Sequence, residues 1–277
     1  MLKIFHLLPD GLKLFLRSYK KQEAEYYELG WLVEKSSIAI DIGANKGAYT
    51  YALCRLVGGN GKVIAIEPIR ELAQSLQRAS NQLRLPVTVE QCCVSDRSGT
   101  AKLYIPKLSN GELLTGFASL NQSHSGICEY EEREVPVNRL DDLLDRRKKR
   151  VSFIKCDVEG HEVNVLRGGL RVLHEDRPFL IIEIEQSHAV VSISEHFNFI
   201  INQNYNGYFL DRRKDLKSLN DFDIRVHQVS ATQGGSSRGY IYNFIFLPAE
   251  IPDARLLREN YKKRRKTFYE TIINRWV

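Results

Sequence analysis

The chain has 277 residues, of which 43% are hydrophobic, and a formal net charge of +6 at pH 7. This length and apolar content are sufficient for one large domain with its own core. The five cysteines are odd in number and lack CxxC spacing, which argues against a disulfide framework or a zinc site and favours a reducing, cytoplasmic location. No apolar stretch approaches the roughly 20 residues of a membrane-spanning helix.

The N-terminal residues predict a short amphipathic helix rather than a secretory signal peptide. Pro9-Asp10-Gly11 interrupts the apolar run, and no small-residue cleavage site follows it. The helix is expected to cover the core, with a peripheral membrane contact as the alternative. Its apolar and basic faces are predicted to consist of Leu12, Phe15 and Leu16 on one side and Lys13, Arg17, Lys20 and Lys21 on the other.

From residue 38 onward, short β-rich runs alternate with helical patterns, which is typical of a parallel sheet with helices on both faces. The predicted strands span 38–41, 63–67, 87–89, 151–156 and 179–184, and the predicted helices span 47–57, 69–83 and 162–173. Added strands are predicted at 99–106 and 134–137, around a polar loop near 107–128. Residues 225–229 and 240–247 flank a Gly-Gly-Ser-Ser turn and predict a closing antiparallel pair.

Three clusters carry much of the positive charge, at 146–150, 212–214 and 262–266. Such clusters can contact nucleic acid or anionic lipid, but solvated loops and helix faces produce them more often. No module of aromatic and basic residues accompanies them, which argues against a nucleic-acid partner.

Residues 38–53, IAIDIGANKGAYTYAL, change from a strand pattern to a helical pattern across a glycine-containing turn. Such a unit places free backbone N–H groups beside a cleft at the carboxyl end of a sheet. Dinucleotide-binding proteins need Gly-x-Gly-x-x-Gly there, so that the backbone can approach a diphosphate. Gly43, Asn45 and Ala48 occupy those positions here, which argues against a nicotinamide oxidoreductase.

Two acidic residues at predicted strand ends favour a cationic nucleoside cofactor. Asp41 would repel a diphosphate but attract S-adenosylmethionine, which carries a sulfonium and an ammonium group and no phosphate. Glu67 ends the next strand and can accept hydrogen bonds from both hydroxyls of a ribose. We therefore expect S-adenosyl-L-methionine to be held by Asp41, Gly43, Asn45, Gly47 and Glu67.

The sequence resembles the FkbM-type S-adenosylmethionine-dependent methyltransferases from about residue 38 to about residue 247. The resemblance is carried by the segments DIGANKGAYT, VIAIEP, VSDRSGTAKLY, VPVNRLDDLL and, most specifically, FIKCDVEGHEVNVLRGG. It implies an α/β class I methyltransferase fold with a seven-stranded, mostly parallel sheet. It also implies O-methylation of a sugar or natural-product hydroxyl, Cys93 near the adenine, and Ser119 in a loop that lines the cofactor cleft.

Three ionisable residues, Asp157, Glu159 and His161, follow the predicted strand at 151–156, which ends at the same cleft. Methyl transfer to an alcohol needs a group that removes its proton while the reacting atoms are held in line. His161 is the natural base near neutral pH, with Glu159 or Asp157 orienting it. Alternatively, Asp157 is the base or clamps the cofactor, and His161 merely begins a helix whose dipole Glu162 complements.

A divalent metal bound by Asp157, Glu159 and His161 is a further alternative. Gly160 and the helix that follows should break the extended geometry which such a site needs, so no metal is predicted. Glu183, at the end of the 179–184 strand, is expected either to contact substrate or to pair with Lys155.

The sequence therefore predicts a helical segment at 1–35, a methyltransferase domain at 36–250 and a basic helical tail at 251–277. Its expected partner is a small-molecule or glycan hydroxyl acceptor, and neither the acceptor nor the oligomeric state is specified by the sequence. The competing hypotheses are a binding module for an anionic glycan or lipid without turnover, and an RNA ribose methyltransferase.

Overall fold

The computed structural model describes residues 10–20, 23–122, 129–186, 192–228 and 240–264. Lys21, Cys128, the Gly-Gly-Ser-Ser turn and residues 265–277, which figure in the sequence predictions, lie outside these ranges. The helices are α1 Asp10–Lys20, α2 Leu29–Leu32, α3 Ala48–Val57, α4 Arg70–Leu83, α5 Leu140–Leu143, α6 Glu162–Arg167, α7 Leu170–Glu175, α8 Ile193–Ile201, α9 Ile224–His227 and α10 Ala254–Arg264. The strands are β1 Ile38–Ile42, β2 Lys62–Ile66, β3 Val87–Glu90, β4 Cys93–Val94, β5 Gly99–Pro106, β6 Tyr130–Asn138, β7 Val151–Cys156, β8 Phe179–Glu183, β9 Tyr205–Leu210, β10 Leu216–Ser218 and β11 Asn243–Pro248.

The main sheet has eight strands in the order β10-β9-β11-β8-β7-β1-β2-β3. Strands β3, β2, β1, β7 and β8 are parallel, and β11 runs antiparallel to both β8 and β9. The predicted α/β architecture is confirmed, with the three-residue strand β10 added at one edge to the seven strands expected. Because the chain reverses its direction of travel across the sheet after β3, the carboxyl ends of β1 and β7 meet beside a crevice.

Two apolar cores lie on opposite faces of this sheet. The central strand β1 is buried along its whole length, so its side chains alternate between the cores. Ala39 faces the core that α3 and α4 cover, whereas Ile40 and Ile42 face the core beneath α6 to α8. A second sheet of three strands, in the order β4-β6-β5, packs over Ile69 beside β2.

Two details of the predicted secondary structure are wrong. The predicted strand at 225–229 overlaps helix α9, which begins because the Asp223 side chain accepts a hydrogen bond from the backbone N–H of Arg225 (2.9 Å). Strand β11 pairs instead with β8 and β9. The single helix predicted at 162–173 is two helices, broken at Gly168, where an added Cβ would overlap the carbonyl oxygen of Ser95.

The terminal helices pack against the core on the side of α3 and α4. In α1 Leu14 is buried, whereas Leu12, predicted for the apolar face, is 42% exposed. The guanidinium of Arg258 in α10 donates two hydrogen bonds of 2.6 Å to Glu28, which ties the C-terminal helix to the segment before α2. Among the described residues, no helix has the length and apolar character needed to cross a bilayer.

Candidate active site

A cleft of about 600 Å³ opens at the carboxyl ends of β1, β2 and β7. The small sheet and the loop at 115–120 form its opposite wall. Eight of the ten predicted site residues line this cleft, namely Gly43, Asn45, Glu67, Cys93, Ser119, Asp157, Glu159 and His161. The fold therefore brings together residues that lie up to 118 positions apart in the sequence, from Gly43 to His161.

The turn after β1 is held against both neighbouring strands. The backbone N–H groups of Gly43 and Ala44 each donate to the carbonyl oxygen of Ile66 at 3.0 Å. Gly43 has φ +78°, and a Cβ there would overlap the carbonyl oxygen of Asp157. Glycine is thus required both by the backbone conformation and by the close approach of the segment that follows β7.

Glu67 is fixed by the same turn. Its two carboxylate oxygens accept backbone N–H bonds from Asn45 (2.7 Å) and Ile69 (2.8 Å). The side chain is only 4% exposed, and burial raises its pKa to about 7 despite these hydrogen bonds. Each oxygen retains a second lone pair, so Glu67 can still accept hydrogen bonds from a ligand.

Two residues predicted to hold the cofactor, Asp41 and Gly47, do not line the cleft. Asp41 is 2% exposed and lies on the strand face toward α3, where its carboxylate accepts a hydrogen bond from the hydroxyl of Thr50. Its charge still acts on the cleft, because it contributes to the raised pKa of Glu67. Gly47 adjoins α3, and a Cβ there would overlap the side chains of Leu76 and Leu14, so the close packing of the helices requires glycine at this position.

His161 is oriented by a serine rather than by the carboxylates predicted from the sequence. Its Nε2 lies 2.9 Å from the hydroxyl oxygen of Ser95, and that hydroxyl donates to Asp96 (3.1 Å). Because Ser95 has a single proton and a carboxylate can only accept, His161 donates from Nε2, which leaves the lone pair on Nδ1. Burial lowers the pKa of His161 from 6.5, so the imidazole is neutral at pH 7.

The Asp96–Ser95–His161 chain has a signal in the sequence that the prediction did not use. Ser95 and Asp96 directly follow β4, as polar residues at a strand end beside the cleft. Cys93, within that strand, lines the cleft as expected, and burial raises the pKa of its thiol. Its side chain is therefore a small apolar wall rather than a nucleophile.

Ser119 braces the turn that carries Glu159. Its hydroxyl donates to the carbonyl oxygen of Glu159 (2.7 Å), and Asn121 donates to the carbonyl oxygen of Gly160 (3.3 Å). Both Glu159 and Gly160 have positive φ, at 55° and 88°. The loop thus stabilises a sharp turn that presents Glu159 and His161 to the same cleft.

A buried lysine lies beneath the acidic end of the site. Lys155 is 1% exposed, with its ammonium 3.5 Å from Asp157 and 3.8 Å from Glu183, which confirms one of the two roles predicted for Glu183. Burial alone would lower the pKa of Lys155, but the two carboxylates outweigh it and raise the pKa, so the ammonium remains charged. Carboxylate oxygens of Asp157, Glu159 and Glu183 lie within 4.8 Å of one another.

The sheet order, the glycine turn after β1 and the acid after β2 define a class I methyltransferase. The family model for the FkbM methyltransferase domain matches residues 41–210, more than half of the chain. The protein therefore belongs to the FkbM family of S-adenosylmethionine-dependent methyltransferases.

The chain is also similar to individual members of this class. It is 26% identical over 183 residues to Methyltransferase 1 of Beauveria bassiana, covering 58% of this chain and 73% of that protein. It is 28% identical over 156 residues to methyltransferase sdnD of Sordaria araneosa, covering 47% of this chain and 59% of that protein. The crystal structure of an FkbM methyltransferase from Methylobacillus flagellatus is 18% identical with a TM-score of 0.47, over 85% of this chain and 53% of that one. The chain thus spans only part of these relatives.

The cleft has the chemical character that S-adenosylmethionine requires. Its described lining contains the acidic residues Glu67, Asp157 and Glu159 and no lysine or arginine. The side-chain oxygen of Asn45 is buried there without a hydrogen-bond partner. An unsatisfied acceptor among carboxylates suits a ligand that brings hydroxyl or ammonium donors and no phosphate.

Proposed function

We propose that this chain transfers the methyl group of S-adenosylmethionine to a hydroxyl group of a saccharide or secondary metabolite. The observation that carries the proposal is that Asp157, Glu159 and His161 share one cleft with Gly43 and Glu67. Residues suited to bind a nucleoside cation and residues suited to remove a proton are therefore adjacent.

On the donor side, Glu67 would accept the ribose hydroxyls, and the Gly43 turn and Asn45 would provide the polar surface beside it. Cys93 would contribute to the apolar wall for the adenine. Bound in this cleft, the cofactor supplies a methyl group on a positively charged sulfur. The surrounding carboxylates would favour that charge.

On the acceptor side, His161 would take the proton of the hydroxyl at Nδ1, because its Nε2 is held by Ser95. A neutral imidazole is a competent base at pH 7, and a positioned base contributes roughly 10²–10⁴-fold to rate. Asp157 remains the alternative base or the clamp on the methionyl part. The ion pair with Lys155 would hold Asp157 in place for either role.

The first test is calorimetric titration of the purified protein with S-adenosylhomocysteine, run beside NAD and NADP. We expect micromolar binding of S-adenosylhomocysteine alone, weakened roughly 10-fold or more in Glu67→Gln, since charge-assisted hydrogen bonds contribute about 1.5–3 kcal/mol. Glu71→Gln, at an exposed acid on α4, is the matched control. Binding of a dinucleotide would refute the proposal, and binding of none of the three would favour a non-catalytic module.

A positive titration leads to a second assay with labelled donor and a panel of hydroxylated acceptors. Transfer to saccharides or secondary metabolites supports the proposal. Transfer only to RNA ribose would replace it with the competing hypothesis.

A further inference from the structure

A second cleft, of about 700 Å³, lies between α6 and α8 and adjoins the turn at Gly160. His161 lines both this cleft and the donor cleft. The residue proposed as the base therefore stands at the junction of two cavities. A substrate in the second cleft would approach the donor past His161.

Two polar side chains of α6 face the second cleft, and neither has a hydrogen-bond or ion-pair partner among the residues that the structure describes. Neither the amide of Asn164 nor the guanidinium of Arg167 makes a hydrogen bond or an ion pair with another described residue. By contrast, Arg171 in the neighbouring helix α7 donates to Asp145 (3.0 Å). Asn164 and Arg167 thus offer hydrogen-bonding capacity that no other described residue uses.

The rest of the lining is mixed in charge and partly aromatic. Glu195 on the facing helix accepts the Ser192 N–H at one carboxylate oxygen (3.0 Å) and keeps the other oxygen as an acceptor, and the ring of Phe199 lies 5.6 Å from the guanidinium carbon of Arg167. Sugar hydroxyls both donate and accept hydrogen bonds, so they need groups of both kinds, whereas a polyanion would be opposed by Glu195. A partly buried ring supplies apolar surface for the C–H face of a sugar.

We infer that this second cleft is the acceptor site and that it takes a saccharide, with Asn164 and Arg167 as its hydrogen-bonding residues; the inference rests on the proposed function. The acceptor hydroxyl then reaches the donor cleft at His161. Specificity for the acceptor resides in α6 and α8, and donor affinity resides in the turn after β1 and in Glu67.

The inference is tested by NMR on ¹⁵N-labelled protein saturated with S-adenosylhomocysteine. Three methyl glycosides, of glucose, rhamnose and glucuronic acid, are titrated at millimolar concentrations. We expect amide shifts at 160–167 and 195–199, and at least a fivefold loss of glycoside affinity in Asn164→Ala and in Arg167→Ala. The affinity for S-adenosylhomocysteine should stay within twofold of wild type in both variants.

Asn198→Ala, on the exposed side of α8, and Arg212→Ala, on a distant loop, are the matched controls and should bind the glycoside as wild type does. If S-adenosylhomocysteine binds but the glycosides shift other residues, or none binds, the acceptor-site inference is wrong while the proposed function stands. If S-adenosylhomocysteine itself fails to bind, the proposed function fails first.

Discussion

The α-carbon of Gly43 packs directly against the backbone carbonyl of Asp157. This contact joins the turn after β1 to the segment after β7, which supplies the acidic and histidine side chains of the site. A hydrogen bond of 3.1 Å from the Asp157 N–H to the carbonyl of Ile42 closes the same junction. The donor turn and the reaction segment are therefore packed directly against each other.

Replacing Gly43 by alanine should abolish binding of S-adenosylhomocysteine and lower the free energy of unfolding by roughly 3 kcal/mol or more. The added Cβ would force the two segments apart, in addition to the strain of a positive φ. Gly111→Ala separates the two effects, because Gly111 has φ +83° with no atom near its Cβ position. Calorimetry and urea unfolding measure the outcome, and equal losses in both variants would contradict a role for the Asp157 contact.

His161→Gln should lower turnover by roughly 10²–10⁴-fold while S-adenosylhomocysteine binds within a few-fold of wild type. The wild-type rate should fall only below pH 6.5, because burial lowers the pKa of His161 and the base is lost when it becomes protonated. The pH–rate profile measures this acid limb. A limb that persists unchanged in His161→Gln would assign it to another group, with Asp157 as the first alternative.

The hydrogen bonds from His161 to Ser95 and from Ser95 to Asp96 give a prediction that can be tested without an acceptor substrate. In ¹⁵N-histidine NMR, His161 should carry its proton on Nε2, and Ser95→Ala should shift it toward a mixture of tautomers. The spectrum of His161→Gln identifies the resonance. A wild-type proton on Nδ1 would reverse the assigned direction of the Ser95 hydrogen bond.

The sequence predicts most of the sheet because its central strands are continuous apolar runs that end in polar turn residues. β1, β7 and β8 are found within two residues of their predicted ends. β9 was missed because Asn206 and Gly207 interrupt its apolar pattern, and its strand structure depends on pairing with the distant β11. Non-local pairing of this kind leaves no local signal.

The sequence predicts which residues meet at the site, but it does not predict the orientation of every side chain. The ends of β1, β2 and β7 meet because parallel strands share one edge, and this rule brought Glu67, Asp157 and His161 together. The face of β1 on which Asp41 lies follows only from the packing of α3, whose Thr50 donates a hydrogen bond to the Asp41 carboxylate. Similarly, the partner of His161 comes from β4, a two-residue strand of another sheet.

Glu25 should make the protein less stable as the pH rises from 4.5 to about 7. It is 8% exposed, and burial raises its pKa from 4.5 to about 7. The folded state therefore binds more protons than the unfolded state in that range, and the stability it contributes below pH 4.5 is lost as the pH rises through 7. Above pH 7 this contribution no longer changes.

Glu25→Gln should accordingly raise the free energy of unfolding at pH 8 by up to about 3 kcal/mol and leave it nearly unchanged at pH 4.5. Glu67 and other buried acids titrate in both the wild type and the variant, so their contributions cancel in the difference between the two free energies of unfolding. Urea unfolding at the two pH values measures it, with exposed Glu112→Gln as the control. A difference that is the same at both pH values would show that packing, not titration, is responsible.

Lys155→Met should destabilise the protein by roughly 3–5 kcal/mol, because Asp157 and Glu183 would lose the buried charge that compensates them. Adding Glu183→Gln should recover part of this loss, since it removes from beside Asp157 a buried carboxyl group whose pKa burial and the Asp157 charge raise. No recovery would mean that the lysine acts through packing.

Because Lys155 already supplies positive charge to the acidic cluster, dialysis against EDTA should leave methyl transfer and S-adenosylhomocysteine affinity within twofold of wild type. Restoration of a lost activity by Mg²⁺ would instead show that Asp157, Glu159 and Glu183 hold a cation beside the lysine.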